Sequence, residues 1–477
     1  MRSRRNGIAA AAAIALGIAA GAGAPGAAAA WTLEEAAKPY RGQEVVVGVA
    51  FVPVLGGALD LLKSDFEKRT GIKVNIEKFD HNQWDAKADA DLYARTGHFD
   101  LLMMHHNRAE DWVANGHVRF IDDLMKDPKL ADPDFDAADL FQPLWDDYCK
   151  FDKGRACFLN QNFQMVYWYR KDLFENATEK AAFKKRYGYD LKPARTYKQF
   201  QDTAEFFTRK KGESLAGKPL AADFYGVGTV GKREQSLAWE LSTFVQGFGG
   251  SLFDAEGRPT FTRKENVDAV KYWLGLRRFA PPGVTEAGFI DLFVLLTKGT
   301  VAQAIQWTDF AFAIDDPKIS QATNVYSYAP IPTLTETMPH GGWGEAEPFV
   351  ISAYSKRPQV AFLVIQYLAS KEHQKKWIEG PGSGLPLRNS SLELPFVKKS
   401  PVFGPHVTGM KRGWFNPGYT GWVETQEEWV IAVTEAAAGR MTVEQALEKA
   451  QAKAVRLHPK GPINPGQPTR NQFEPLK

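Results

Sequence analysis

The sequence predicts an α/β protein of two lobes, each a sheet flanked by helices, with a cleft between them. Between residues 44 and 104, apolar strand-like runs alternate with helical spacing, the pattern of a parallel α/β layer. The chain beyond residue 30 is too long for one ordinary core. No Pro/Ser linker or low-complexity stretch divides it, so the chain is expected to pass between the lobes more than once.

The first thirty residues read as an export signal. Arg2, Arg4 and Arg5 precede an Ala- and Ile-rich run that ends in small residues, with cleavage expected near Ala30. Gly17, Gly21, Gly23 and Pro25 interrupt that run, which argues against a membrane anchor. The 59 Lys and Arg outnumber the 56 Asp and Glu by the three arginines of this segment. The mature chain is therefore neutral, with no basic excess to attract nucleic acid or anionic lipid.

EVVVGVAF (44–51) is a β-branched run expected as a buried strand. Leu59, Leu62 and Phe66 keep helical spacing up to a stop at Gly71, and IKVNIEKF (72–79) alternates as a strand. A polar helix and the buried run FDLLMMHHN (99–107) follow. Cys149 and Cys157, the only cysteines, flank Gly154 and are expected to form a disulfide in an exported chain.

Ligands of open α/β sheets bind beyond the carboxyl ends of strands. The segments at such ends are FVPVLGG, HHNRAEDW, LNQNFQ, GTVGKREQ, QWTDF and GGWGEAE. They carry Phe51, Trp112, Trp307 and Trp343 among Asn107, Asn160, Gln161, Asn162, Gln164, Asp309 and Glu345. Flat rings beside amides and carboxylates suit a sugar or polyol, whose C–H faces pack on rings while its hydroxyls need paired donors and acceptors. Any single Trp is as readily a core residue.

Several blocks resemble the family 1 extracellular solute-binding proteins, the periplasmic receptors of sugar-importing ABC transporters that include maltose-binding proteins. They are DFEKRTGIKVNIEKF (65–79), FDLLMMHHNRAEDWVANGHVRFIDDL (99–124), MVYWYRKDLFENA (165–177), AWELSTFVQGFGGSLFDAEGRPTFT (238–262), GGWGEAEPFVISAYSKRPQVAFLVIQYLASKEHQKKW (341–377) and VTEAAAGRMTVEQALEKA (433–450). The resemblance implies the two-lobe periplasmic binding protein fold, class II-like, closing on its ligand by hinge motion. It also implies no catalysis, no cofactor and no metal, with a membrane permease and a small solute as partners, a periplasmic location and a monomer. The expected division is 31–156 in lobe 1, 157–297 in lobe 2, 298–345 returning to lobe 1, and 346–477 in lobe 2.

By resemblance, Asn107, Gln161, Asn162 and Gln164 bind hydroxyls, Trp307 and Trp343 stack on the sugar with Asp309 and Glu345 close by, and Arg388 lies in a late cleft loop. The apolar Phe51-Val52-Pro53-Val54 departs from the polar first loop of many such receptors, and implies a less polar end of the ligand or a different contact set. The aromatic strip 413–429 also departs, which leaves open whether Tyr419 or Trp422 reaches ligand.

Other motifs compete. GVGTVG (226–231) has the spacing of a dinucleotide turn, but no acid fills the required position downstream. In the resemblance it is a strand-to-helix turn, from which Arg233, Gln235 and Trp239 meet ligand. GESLAGKP (212–219) lacks the Ser or Thr of a phosphate loop. His105-His106 invites a metal reading, with His98, His117 and His340 as partners, but no motif spacing supports it; His106 is expected as a hydrogen-bonding cleft wall. Asp309, Glu345 and Glu347 are compatible with the paired carboxylates of a glycoside-processing enzyme, which remains the alternative by class, with a metal-ion receptor third.

Overall fold

The run EVVVGVA forms the strand Glu44–Ala50 in a computed structural model that describes residues 31–51, 55–254, 258–338, 341–380, 384–412 and 421–457. Residues 1–30, expected as an export signal, Val52 to Val54, His340, Tyr419 and the tail after Leu457 lie outside the described residues. All of that strand except Glu44 is buried, because helices cover both faces of the sheet it joins.

The first sheet runs Lys73–Phe79, Glu44–Ala50, Leu101–Met103, Phe349–Ser352, Val118–Arg119, with Cys157–Phe158 also paired to Phe349–Ser352. Its first three strands are parallel. Leu59, Leu62 and Phe66 are buried as their spacing requires, and the helix ends at Gly71, whose φ of 71° lets its N–H cap the Glu67 carbonyl at 2.8 Å. Cys149 and Cys157 are bonded, their Cα atoms 5.1 Å apart, and close the hairpin of Lys150–Phe151 and Gly154–Arg155.

The second sheet is antiparallel and centres on Asn162–Arg170, which pairs with Gln303–Trp307, Tyr326–Ala329 and Gly344–Ala346. This corrects the expected division, in which 298–345 returned to lobe 1. Its three strands bond the backbone of the central strand of lobe 2, from Gln303 opposite Tyr169 to Gly344 opposite Gln164. The strand that does return is Phe349–Ser352, antiparallel between Leu101–Met103 and Val118–Arg119. Helix Pro358–Ala369 packs on it, so the segment after 346 begins in lobe 1. Only from Phe403–Arg412 onward do the C-terminal helices join lobe 2, against Asn162–Arg170, Gln235–Gly247 and Lys264–Leu276. Among the described residues the chain thus crosses between lobes three times: after Phe158, after Ala346 and before Phe403.

The glycines of GVGTVG answer to packing. Tyr225 to Gly228 runs parallel beside Val301 to Ala304. A Cβ on Gly226 would strike the Ala204 backbone, and one on Gly231 the Val284 carbonyl. The glycines admit close backbone approach, with no phosphate required.

Candidate functional site

Side chains of both lobes and of the middle crossing line one recess of about 500 Å³, its open mouth included. Lobe 1 supplies His81, which opens helix His81–Ala94 just beyond strand Lys73–Phe79, and His105, just beyond strand Leu101–Met103. Strand Gly344–Ala346 supplies Glu345, and the crossing that follows it supplies Glu347. Lobe 2 supplies Phe163 from its central strand, Gln235 and Trp239 from consecutive turns of helix Gln235–Gly247, and Phe289, Trp307, Asp309 and Phe310.

The lobe 2 wall is aromatic and braced ring against ring. Trp239 meets Trp307 edge to face with centroids 5.3 Å apart, and meets Phe289 at 5.9 Å. Phe163 stands edge-on to Trp307 at 6.4 Å. The Trp239 Nε1–H is buried with no hydrogen-bond acceptor among the described residues. A wall of this kind presents apolar faces plus one donor, in side chains whose rotamers are fixed by their neighbours.

The rest of the lining is acidic. Burial pushes the Glu345 carboxyl up to about 8, with Glu347 adding to the push. Asp309 is raised to about 7 by burial and then by Glu347, and its Oδ1 has no donor. Burial likewise raises Glu347 to about 7 against the pull of His105. Burial opposes a charge on His105, but the Asp85 carboxylate, 2.7 Å from Nδ1, outweighs it and raises the ring to about 9. His81 is pushed down to about 3 by burial and by the neighbouring His105. Burial thus favours the protonated form of these carboxyls, in which each both donates and accepts hydrogen bonds.

Of the residues singled out in the sequence, Trp239, Trp307, Asp309 and Glu345 line the recess, as does Gln235. Trp343 does not; it is fully buried, and its Nε1–H donates to Glu345 Oε1 at 3.4 Å. Gln161 also stands behind the wall and donates to Glu347 Oε2 at 2.9 Å. Asn162 donates to the Pro386 carbonyl, and Gln164 packs under Gly409 of helix Phe403–Arg412. Asn107 is buried away from the lining, and His106 opens a helix, with its side chain outside the described set. Phe51 is exposed, with the Lys78 ammonium 4.4 Å above its ring.

The two arginines are engaged elsewhere. Arg233 bonds Glu427 on the surface. Arg388 is buried in lobe 1, donating to the carbonyls of Ala369, Asp136 and Phe135 and facing Asp139. Trp422 is buried against Phe253. His98 pairs with Glu77 and His117 with Tyr354, so neither joins His105.

His81, Phe163, Phe289 and Phe310 line the recess without having been singled out. His81 carried a usable signal, since it directly follows the strand Lys73–Phe79, at the carboxyl end where ligands bind. Phe163 and Phe310 lie within the strand-end segments LNQNFQ and QWTDF, whereas Phe289 had no signal, because it opens a helix whose place on the cleft depends on long-range packing.

Two α/β lobes joined by three crossings, with a ring-and-carboxyl cleft between them, define a two-lobed binding protein. The chain belongs to the bacterial extracellular solute-binding protein family, whose sequence model matches residues 52–375. It is 24% identical over 372 residues to a probable amino-acid ABC transporter periplasmic-binding protein of Sinorhizobium fredii, covering 76% of this chain and 77% of that one. It is 26% identical over 251 residues to a mannitol-binding protein of Pseudomonas aeruginosa, covering 50% of each. Its fold matches an ABC transporter solute-binding protein of Agrobacterium radiobacter solved with ribitol, with TM-score 0.74, 23% identity, and 88% of this chain and all of that chain covered.

Proposed function

We propose that this protein is the substrate-binding subunit of an ABC importer, and that it captures a neutral polyhydroxylated solute, a sugar alcohol or small sugar, in the periplasm by closing its lobes. The observation that carries this reading is the lining itself, which among the described residues has aromatic faces and buried carboxyls but no Lys or Arg. The names of its relatives point both to amino acids and to polyols. A cation is a strong partner for the α-carboxylate of an amino acid, and the one cationic group of the described lining, His105, already faces Asp85 and Glu347. A polyol needs ring faces and groups that donate and accept, which the lining supplies.

Trp239 and Trp307 then stack on the solute, Asp309 and Glu345 bind its hydroxyls, and Trp343 and Gln161 hold the carboxyls from behind. The chain reaches the periplasm by its first thirty residues, works as a monomer, and docks on its permease in the closed state. Titration of intrinsic Trp fluorescence with ribitol, D-mannitol and maltose tests this. Saturable quenching by at least one, lost on Trp307→Ala, is expected; no response to any polyol or sugar contradicts it.

A further inference from the structure

The cleft holds a second cluster that the solute reading leaves unused. One nitrogen each from His81 and His105 and one oxygen of Glu347 all lie within 4.8 Å of one another. His105 directs Nδ1 at Asp85 Oδ1, 2.7 Å away, and leaves Nε2 buried, without a hydrogen bond and 3.6 Å from Glu347 Oε1. His105 as a whole is 6% exposed. The Nδ1 of His81 is also buried without a partner. Two imidazole nitrogens left unsatisfied beside a carboxylate are costly unless something accepts their lone pairs or protons.

We propose that His81, His105 and Glu347 bind a divalent first-row transition metal of the zinc type at the lobe 1 side of the cleft. Bonds of about 2.0–2.2 Å in tetrahedral geometry put ligand atoms about 3.4 Å apart. The 3.6 Å between His105 Nε2 and Glu347 Oε1 already meets this. His81, half-buried at the first residue of its helix, has only to swing its ring toward them.

The surroundings are those of a metal centre. Asp85 accepts the Nδ1–H of His105 and fixes the ring's orientation, so that a bound metal takes the place of the Nε2 proton, as in carboxylate–histidine–metal triads. Asp85 lies one turn after His81 on helix His81–Ala94, so one helix supplies a ligand and the orienting carboxylate of the other. Gln161 Nε2–H donates to Glu347 Oε2 and turns Oε1 toward His105. Three protein ligands leave a fourth position open toward the recess they line, for water or a solute oxygen.

The test is a titration of tag-free, chelator-treated protein with Co²⁺, read by its visible absorption, and with Zn²⁺, read by calorimetry. One equivalent per chain and a tetrahedral Co²⁺ spectrum are expected. His81→Ala and the near-isosteric Glu347→Gln each weaken binding at least tenfold, Asp85→Asn by about 10- to 100-fold, and His98→Ala, a surface control, leaves it unchanged. Absence of binding, or binding untouched by His81→Ala and Glu347→Gln in proteins with wild-type circular dichroism, overturns the proposal. Polyol titration of the metal-free protein runs alongside, so that failure of the metal site and failure of the solute reading are told apart.

Discussion

The indole of Trp239 meets that of Trp307 edge to face, centroids 5.3 Å apart and planes at 83°. One ring comes from a helix and the other from the end of a strand, so each locks the other's rotamer and the pair presents a preformed surface. Trp239→Ala and Trp307→Ala are each expected to weaken solute binding by about tenfold or more, equivalent to ~1.4 kcal/mol. Calorimetric titration with circular dichroism as a folding control measures this. Unchanged affinity in both contradicts the placement.

Arg388 is predicted to act on stability alone. Its guanidinium is buried among three carbonyls with Asp139 as counter-ion. Arg388→Ala removes the donor to those carbonyls and the nearer counter-ion of Asp139, at a cost of about 3–5 kcal/mol in denaturant unfolding. At temperatures where the variant stays folded, its solute affinity should match the wild type.

The disulfide of Cys149 and Cys157 closes a short loop at the foot of helix Gln142–Cys149, whose Tyr148 reaches Glu345. The double Cys→Ser variant is expected to lose about 2–3 kcal/mol by the loop-entropy relation. Reduction of the wild type should lower its melting temperature and leave the variant's unchanged.

Glu240 makes a pH prediction independent of the cleft. Burial in lobe 2 raises its carboxyl to about 7, although Thr229, Trp273 and the Val230 N–H donate to it. Folded protein holds this proton where unfolded chain has lost it, so the unfolded state binds fewer protons between the ordinary glutamate value of 4.5 and about 7. Stability therefore falls as pH rises through that window. Glu240→Gln should flatten this part of the pH–stability curve; an equally steep variant curve contradicts the assignment.

Much of lobe 1 was legible because its strands and helices follow one another and their burial shows as β-branched runs and helical spacing, as in EVVVGVAF and at Leu59, Leu62 and Phe66. The allocation of 298–345 was not, because pairing of Gln303–Trp307 with Asn162–Arg170 is made by backbone hydrogen bonds across more than a hundred residues, which side-chain pattern does not encode. In the cleft, Trp307, Asp309 and Glu345 were found by the rule of strand ends. Arg388 and Trp343 sit in segments that look alike in sequence, but their side chains turn inward, and only packing decides that.

The central claim is that the cleft takes a neutral polyol. Its most direct test is calorimetric titration of the purified protein with ribitol and D-mannitol, set against glutamate, glycine and lysine. A solute at a hundred times its dissociation constant adds about 2.7 kcal/mol of stability, so a parallel melting curve checks each result. The account predicts a one-to-one isotherm with at least one polyol and none with the amino acids. An isotherm with an amino acid and none with either polyol would contradict it.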